Sequence, residues 1–157
     1  MTGKFRVLMV CTGNICRSPT ADAILRHLIK ENRLTSSLEV DSAGIENYHS
    51  GDEPDDRSIE HARKRGYDLT PLRARKCKLS DFSDFDLILA MDRSHYRSLM
   101  YKKPKKCRAE VKMFLEFSSK YSGDVSDPYY GGSKGFEKVL DQCEDGCAGI
   151  IEYFKKL

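Results

Sequence analysis

Cys11 and Arg17 stand six positions apart in Cys-Thr-Gly-Asn-Ile-Cys-Arg-Ser, residues 11–18, and that spacing suits the capture of one tetrahedral oxyanion. A loop of this length can curl its backbone N–H groups around the anion at the positive end of a helix, while a guanidinium grips two phosphate oxygens. Gly13 and Asn14 are the residues best able to take the left-handed conformations such a curl needs. The same field stabilises a thiolate, so Cys11 is expected to be ionised at neutral pH and to attack phosphorus without a metal. On spacing alone the pattern is short enough to arise by chance, and Cys11 could be an ordinary strand-end thiol. A Walker-type nucleotide loop is excluded, because no Gly-x4-Gly-Lys occurs.

Displacement of phenolate or alkoxide needs a proton donor. Asp127 lies in Asp127-Pro128-Tyr129-Tyr130-Gly131-Gly132, a Pro- and Gly-bounded loop suited to holding a carboxyl over a pocket. A general acid of this kind is worth about 10²- to 10⁴-fold, and the same carboxylate would activate water in a second step. Its competing reading is a plain turn starter.

The elements that must position these groups can be read from hydrophobic period and punctuation. Residues 5–10 form a short apolar run rich in β-formers and read as a buried strand. Ser18 is expected to cap the following helix, with Pro19 at its first position and Ala21, Ile24, Leu25, Leu28 and Ile29 on one face. Further strands are expected at 38–43, 86–91 and 108–114, with helices over 55–65, stopped by Gly66, and from an Asp92 cap to Tyr101. From Phe136 onward the apolar positions trace one helical face and place Cys143 and Cys147 in the core. Strands alternating with helices predict an α/β fold: a three-layer, doubly wound, flavodoxin-like single domain over 1–157. Its central four-stranded parallel sheet would carry the phosphate-binding loop between first strand and first helix.

Composition narrows the classes. With 27 basic against 24 acidic residues and a net charge of +3, the chain is too nearly neutral to suggest nucleic acid as partner. The basic runs 73–78 and 102–108 read as solvated loops. No signal peptide or membrane span fits, and six scattered cysteines in a chain of this size read as reduced thiols, so a cytoplasmic protein is expected. Cysteine spacing without nearby His or Cys partners argues against a metal, and no cofactor is expected.

Taken together, residues 11–18, Asp41-Ser42-Ala43-Gly44, Met91-Asp92 and residues 127–132 resemble the low-molecular-weight protein tyrosine phosphatases over essentially the whole chain. The resemblance implies Cys11 as nucleophile, Arg17 as transition-state clamp, Asp127 as acid and base, and Ser18 as hydroxyl donor to the sulfur. It places Thr12, Gly13, Asn14, Ile15 and Cys16 in the phosphate loop, gives Asn14 and Ser42 the task of bracing it, and has Asp92 hold the site together. Tyr48 and His49 align with one pocket rim, with Tyr129 and Tyr130 as the opposite aromatic wall. The implied partners are tyrosine-phosphorylated proteins or peptides, with inorganic phosphate as product, and a monomer is expected. Leu72 departs from the vertebrate members, which place a loop-supporting histidine there. A peroxide-driven link between Cys11 and Cys16 is a hypothesis of the same reading.

Two rivals remain at this stage. A thiol-dependent arsenate reductase uses nearly the same loop but needs further redox cysteines after the third strand, where this chain has Met91-Asp92. A catalytically silent phosphotyrosine-binding module would need none of the nucleophile chemistry.

Overall fold

The strand β1, Phe5–Cys11, organises the rest of the molecule. Val7, Leu8, Met9 and Val10 along it are fully buried, as a parallel sheet covered on both faces requires. The computed structural model describes residues 3–128 and 131–157. Three further strands, β2 (Leu38–Gly44), β3 (Leu87–Ala90) and β4 (Glu110–Met113), pair with it all-parallel in the order β2-β1-β3-β4. The chain leaves β1 toward β2 on one side and returns to β3 and β4 on the other. The order therefore reverses at β1, and the crevice beyond its carboxyl end is where ligands bind in such sheets.

Side-chain alternation along β1 divides the core in two. Val7, Met9 and Cys11 face the longer helices α1 (Arg17–Glu31) and α5 (Gly132–Lys155), meeting Ala21, Ile24, Leu25, Val139, Cys143 and Cys147. Leu8 and Val10 face the opposite layer, meeting Phe82 of the short α3 (Asp81–Asp84), Phe85, and Leu99 of α4 (Arg93–Lys102). Each fully buried large aliphatic contributes about 1.5–3 kcal/mol, and a one-residue slip of β1 would exchange every inward side chain between the layers. The register ends with Cys11 opposite Gly44 and with Met91 N donating to Val10 O at 3.0 Å, so the carboxyl ends of three strands lie side by side.

The expected α/β architecture and four parallel strands are thus borne out, with local differences. Ser18 does not cap α1: the cap is Cys16, Arg17 is already helical, and the Ser18 hydroxyl turns inward. α2 (Asp56–Lys64) starts where expected because the Asp55 carboxylate accepts from the Arg57 and Ser58 amides, and Gly66 follows its end with φ +92°. α3 and a 3-10 turn at Phe114–Phe117 were not expected; both are single turns, too short to show a period. α5 begins at Gly132, a turn before its apolar stripe.

Candidate active site

Cys11 ends β1 and is buried, with its Sγ 2.9 Å from the Ser18 hydroxyl. That hydroxyl accepts from Asn14 Nδ2 at 2.8 Å, and its own proton has the sulfur nearer than the Ala43 carbonyl at 3.5 Å. The one proton of the Ser18 hydroxyl thus has two acceptors within reach, the Cys11 sulfur and the Ala43 carbonyl.

Asn14 supplies the turn: its φ is +60°, whereas Gly13 keeps an ordinary φ. A Cβ on Gly13 would stand 3.0 Å from the His49 ring, a half-exposed side chain that can turn away. Gly44 is tighter still, because a Cβ on it would lie 2.8 Å from the Thr12 carbonyl, a backbone atom that cannot swing aside. The Glu46 amide donates to that same carbonyl and the Ile45 amide to that of Cys11, fixing the start of the loop against the end of β2. Among the described residues, the backbone N–H groups of residues 13–18 donate to no protein acceptor. Gly13, Ile15, Cys16 and Arg17 line a cavity, and a run of amides without protein acceptors beside a helix N-terminus is suited to an oxyanion.

Arg17 opens α1 with its side chain only 8% exposed. Its Nη1 donates to Asp92 Oδ2 at 2.9 Å and to the Val125 carbonyl at 3.2 Å. Asp92 also caps α4, accepting from Ser94 Oγ at 2.6 Å and His95 N at 3.0 Å through Oδ1. Burial raises the Asp92 pKa, but the hydrogen bonds from Ser94 and His95 and the positive charge of Arg17 outweigh it and hold the carboxyl below the usual range.

His95 and Arg75 were not singled out in the sequence. The His95 ring is buried, with Nε2 2.7 Å from Thr12 Oγ1. Its Nδ1 lies 3.2 Å from Asp92 Oδ1 yet off the line of a hydrogen bond, so that nitrogen has no hydrogen-bond partner among the described residues. Burial, against the opposing pull of Asp92, lowers its pKa to about 4. Arg75 lies in a basic run expected to be solvated, but its guanidinium spans Asp41 and buried Asp81, and its amide donates to Asn14 Oδ1 at 3.0 Å. Asn14 is braced in this way, while Leu72 packs against the core. The run 73–78, whose charges are all basic, gives no sign of the Arg75 contacts, whereas a cap at Asp92 places His95 within one turn of it.

Asp127 lines the site directly after two anchored residues. The Val125 amide donates to Met91 O at 2.7 Å, and Ser126 N donates to Oε1 of Gln142 on α5 at 3.0 Å. Cys11, Thr12, Gly13, Ile15, Cys16, Arg17, Tyr48, His49 and Asp127 together line one cavity of about 520 Å³. Tyr48 is 73% exposed at the rim, with its hydroxyl 3.3 Å from Glu46, and His49 Nδ1 is 3.3 Å from Asp52. Tyr129 and Tyr130 lie outside the described residues. Ser42 is buried in β2 beside the Asp22 carboxylate. All six cysteines are free thiols, and burial pushes Cys16 up to about 12. Among the described residues, no group of three or more His, Cys, Asp or Glu could hold a metal ion.

An anion loop at the end of β1, with a cysteine beneath it and a carboxyl across the cavity, defines the class of cysteine-dependent phosphatases. The profile of the low molecular weight phosphotyrosine protein phosphatases matches residues 6–157. The Schizosaccharomyces pombe low molecular weight phosphotyrosine protein phosphatase is 45% identical over 147 residues, covering 92% of this chain and 94% of the relative. A crystal structure of protein tyrosine phosphatase from Entamoeba histolytica superposes with a TM-score of 0.93 at 37% identity, covering 98% of each chain. A Drosophila arginine phosphatase superposes with a TM-score of 0.88 at 32% identity, over 95% of this chain and 97% of its own. The chain belongs to the low molecular weight phosphotyrosine protein phosphatase family.

Proposed function

We propose that this protein hydrolyses phosphotyrosine in proteins or peptides, and small aryl phosphates, through a phosphocysteine on Cys11. In the first step the Cys11 sulfur forms a bond to phosphorus as the bond to the phenolic oxygen breaks, and Asp127 gives its proton to the leaving oxygen. In the second, water forms a bond to phosphorus, the sulfur leaves, and Asp127 takes the proton from that water; inorganic phosphate is released. Charge on the three equatorial oxygens is met by Arg17 and the amides of residues 13–18, the largest contribution such sites make. The observation that carries this reading is the lining of one cavity by Cys11, Arg17 and Asp127 under amides that donate nowhere else among the described residues.

The Drosophila relative shows that the fold also serves an arginine phosphatase. Tyr48 and His49 at the rim favour a flat aromatic leaving group here. Six free thiols fit a reducing cytoplasm, and among the described residues no helix is long and apolar enough to cross a membrane. We take the enzyme to act there as a monomer.

The test is hydrolysis of p-nitrophenyl phosphate in the presence of a chelator. Wild type is expected to turn over, Cys11→Ser to be inactive, and Asp127→Ala to lose about 10²- to 10⁴-fold, most with poor leaving groups. Arsenate reduction coupled to thioredoxin without phosphatase turnover would replace this reading with a reductase.

A further inference from the structure

Two hydrogen-bonded contacts join the phosphate loop to one turn of α4. At the far end of the loop, Arg17 Nη1 is held by Asp92 Oδ2 at 2.9 Å. At the near end, Thr12, the residue directly after Cys11, meets His95 Nε2 through its hydroxyl at 2.7 Å. Asp92 and His95 are themselves locked together, since Asp92 Oδ1 accepts from the His95 amide at 3.0 Å. We infer that His95 is a positioning residue for the phosphatase reaction, tethering Thr12 so that the Asp92–His95 turn fixes both ends of the oxyanion-binding loop at once. The inference rests on the phosphatase reading of the site.

The chemistry of the ring sets the direction of this bond. The groups facing His95 are Asp92 from its own element, Arg17 from α1, and Asp124 and Asp127 from the loop before α5. With Nδ1 3.2 Å from a carboxylate oxygen, a lone pair there would meet negative charge, so the proton of the neutral ring sits on Nδ1. Nε2 is then an acceptor, and the Thr12 hydroxyl must donate to it. That fixes the Thr12 side chain with one rotamer and holds its peptide, whose carbonyl already accepts from the Glu46 amide at 3.0 Å. Thr12 is otherwise solvent-exposed, and a freely rotating residue next to the nucleophile would let the loop amides drift from the oxyanion. A misplacement of about 1 Å is enough to cost roughly 10²-fold in rate.

The experiment is a double-mutant cycle with Thr12→Val and His95→Leu, and with His95→Gln as conservative variant. The readouts are kcat and KM on p-nitrophenyl phosphate, and orthovanadate affinity, which reports on the oxyanion cradle directly. Each single variant is expected to lose about 10-fold in kcat and in vanadate affinity, with KM little changed. The double variant should lose no more than either single one, because both remove the same bond, and His95→Gln should recover part of the loss. Effects that multiply in the double variant would overturn the tether. So would a Thr12→Val protein with wild-type kcat and vanadate affinity; this exposed substitution decides the matter even where His95→Leu fails to fold. A wild type that binds vanadate but leaves p-nitrophenyl phosphate untouched would instead strike the phosphatase reading, and the vanadate cycle would still test the tether.

Discussion

Arg17 Nη1 and Asp92 Oδ2 face each other at 2.9 Å, with side chains 8% and 19% exposed, and the same Arg17 nitrogen reaches the Val125 carbonyl at 3.2 Å. One edge of the guanidinium is thus spent on orientation, within a wall shared by β3, α4 and the Asp127 loop. Asp92→Asn keeps a good helix cap but removes the charge. It should cost about 1–3 kcal/mol in urea unfolding, below the range for a fully buried pair because Asp92 keeps some solvent. Arg17→Lys should keep the fold and lose roughly 10²- to 10³-fold in kcat, since a point charge cannot grip Asp92, Val125 O and an oxyanion together. Unchanged kcat in Arg17→Lys would contradict this role.

His95 and Asp92 predict how stability varies with pH. The folded protein holds His95 down at about 4, against 6.5 in the unfolded chain, so between these values the unfolded state binds the proton that the folded state refuses. Stability therefore falls as pH drops from 6.5 toward 4, by up to about 3 kcal/mol from this group. The lowered Asp92 acts in the same direction at more acid pH: its contribution is present above the unfolded carboxyl value and is lost as pH falls through the folded one. Urea midpoints at pH 7, 5.5 and 4.5 should show this slope in wild type and a shallower one in His95→Asn. Equal slopes would show that His95 titrates normally.

Gly44→Ala and Gly13→Ala should separate backbone from side-chain crowding. A Cβ at Gly44 meets Thr12 O at 2.8 Å and Gly13 C at 3.1 Å, so the loop must move. We expect roughly a 10²-fold fall in kcat. A Cβ at Gly13 meets the half-exposed His49 ring, which can turn away, and the expected change is within about 10-fold and mainly in KM. Steady-state kinetics on one aryl phosphate would reverse the argument if Gly13→Ala proved the more damaging.

Thiol chemistry should be confined. Burial pushes Cys16 and Cys77 each up to about 12 and drives Cys143 and Cys147 higher, so these four stay protonated at pH 7. Iodoacetate should inactivate by alkylating Cys11, with phosphate protecting, and mass mapping should find Cys16, Cys77, Cys143 and Cys147 unmodified. Alkylation of Cys16 ahead of Cys11 would contradict the assignment.

The fold was legible where period and punctuation agree: the apolar run ending in Cys11, the helix start near Asp55, the Asp92 cap, Gly66, and the long stripe of α5. It was illegible where an element is one turn long, as at Asp81–Asp84, or where tertiary chemistry overrides propensity. Ser18 has the composition of a cap, yet its hydroxyl is drawn inward by Cys11 and Asn14. In the site, residue types with intrinsic chemistry announced themselves: Cys11, Arg17 and Asp127 line one cavity. Supporting residues did not. Arg75 acts on Asn14 through a backbone amide that any residue but proline possesses, and His95 reaches Thr12 only because β1 and β3 end side by side, a relation 83 positions apart in sequence.

The central claim is that Cys11 carries phosphate during turnover. Asp127→Ala protein mixed with radiolabelled aryl phosphate and quenched within one turnover should hold the label on a single peptide, at Cys11, and release it as inorganic phosphate on longer incubation. Product formation at the quench time with no label on the protein, or label found on another residue, would contradict it.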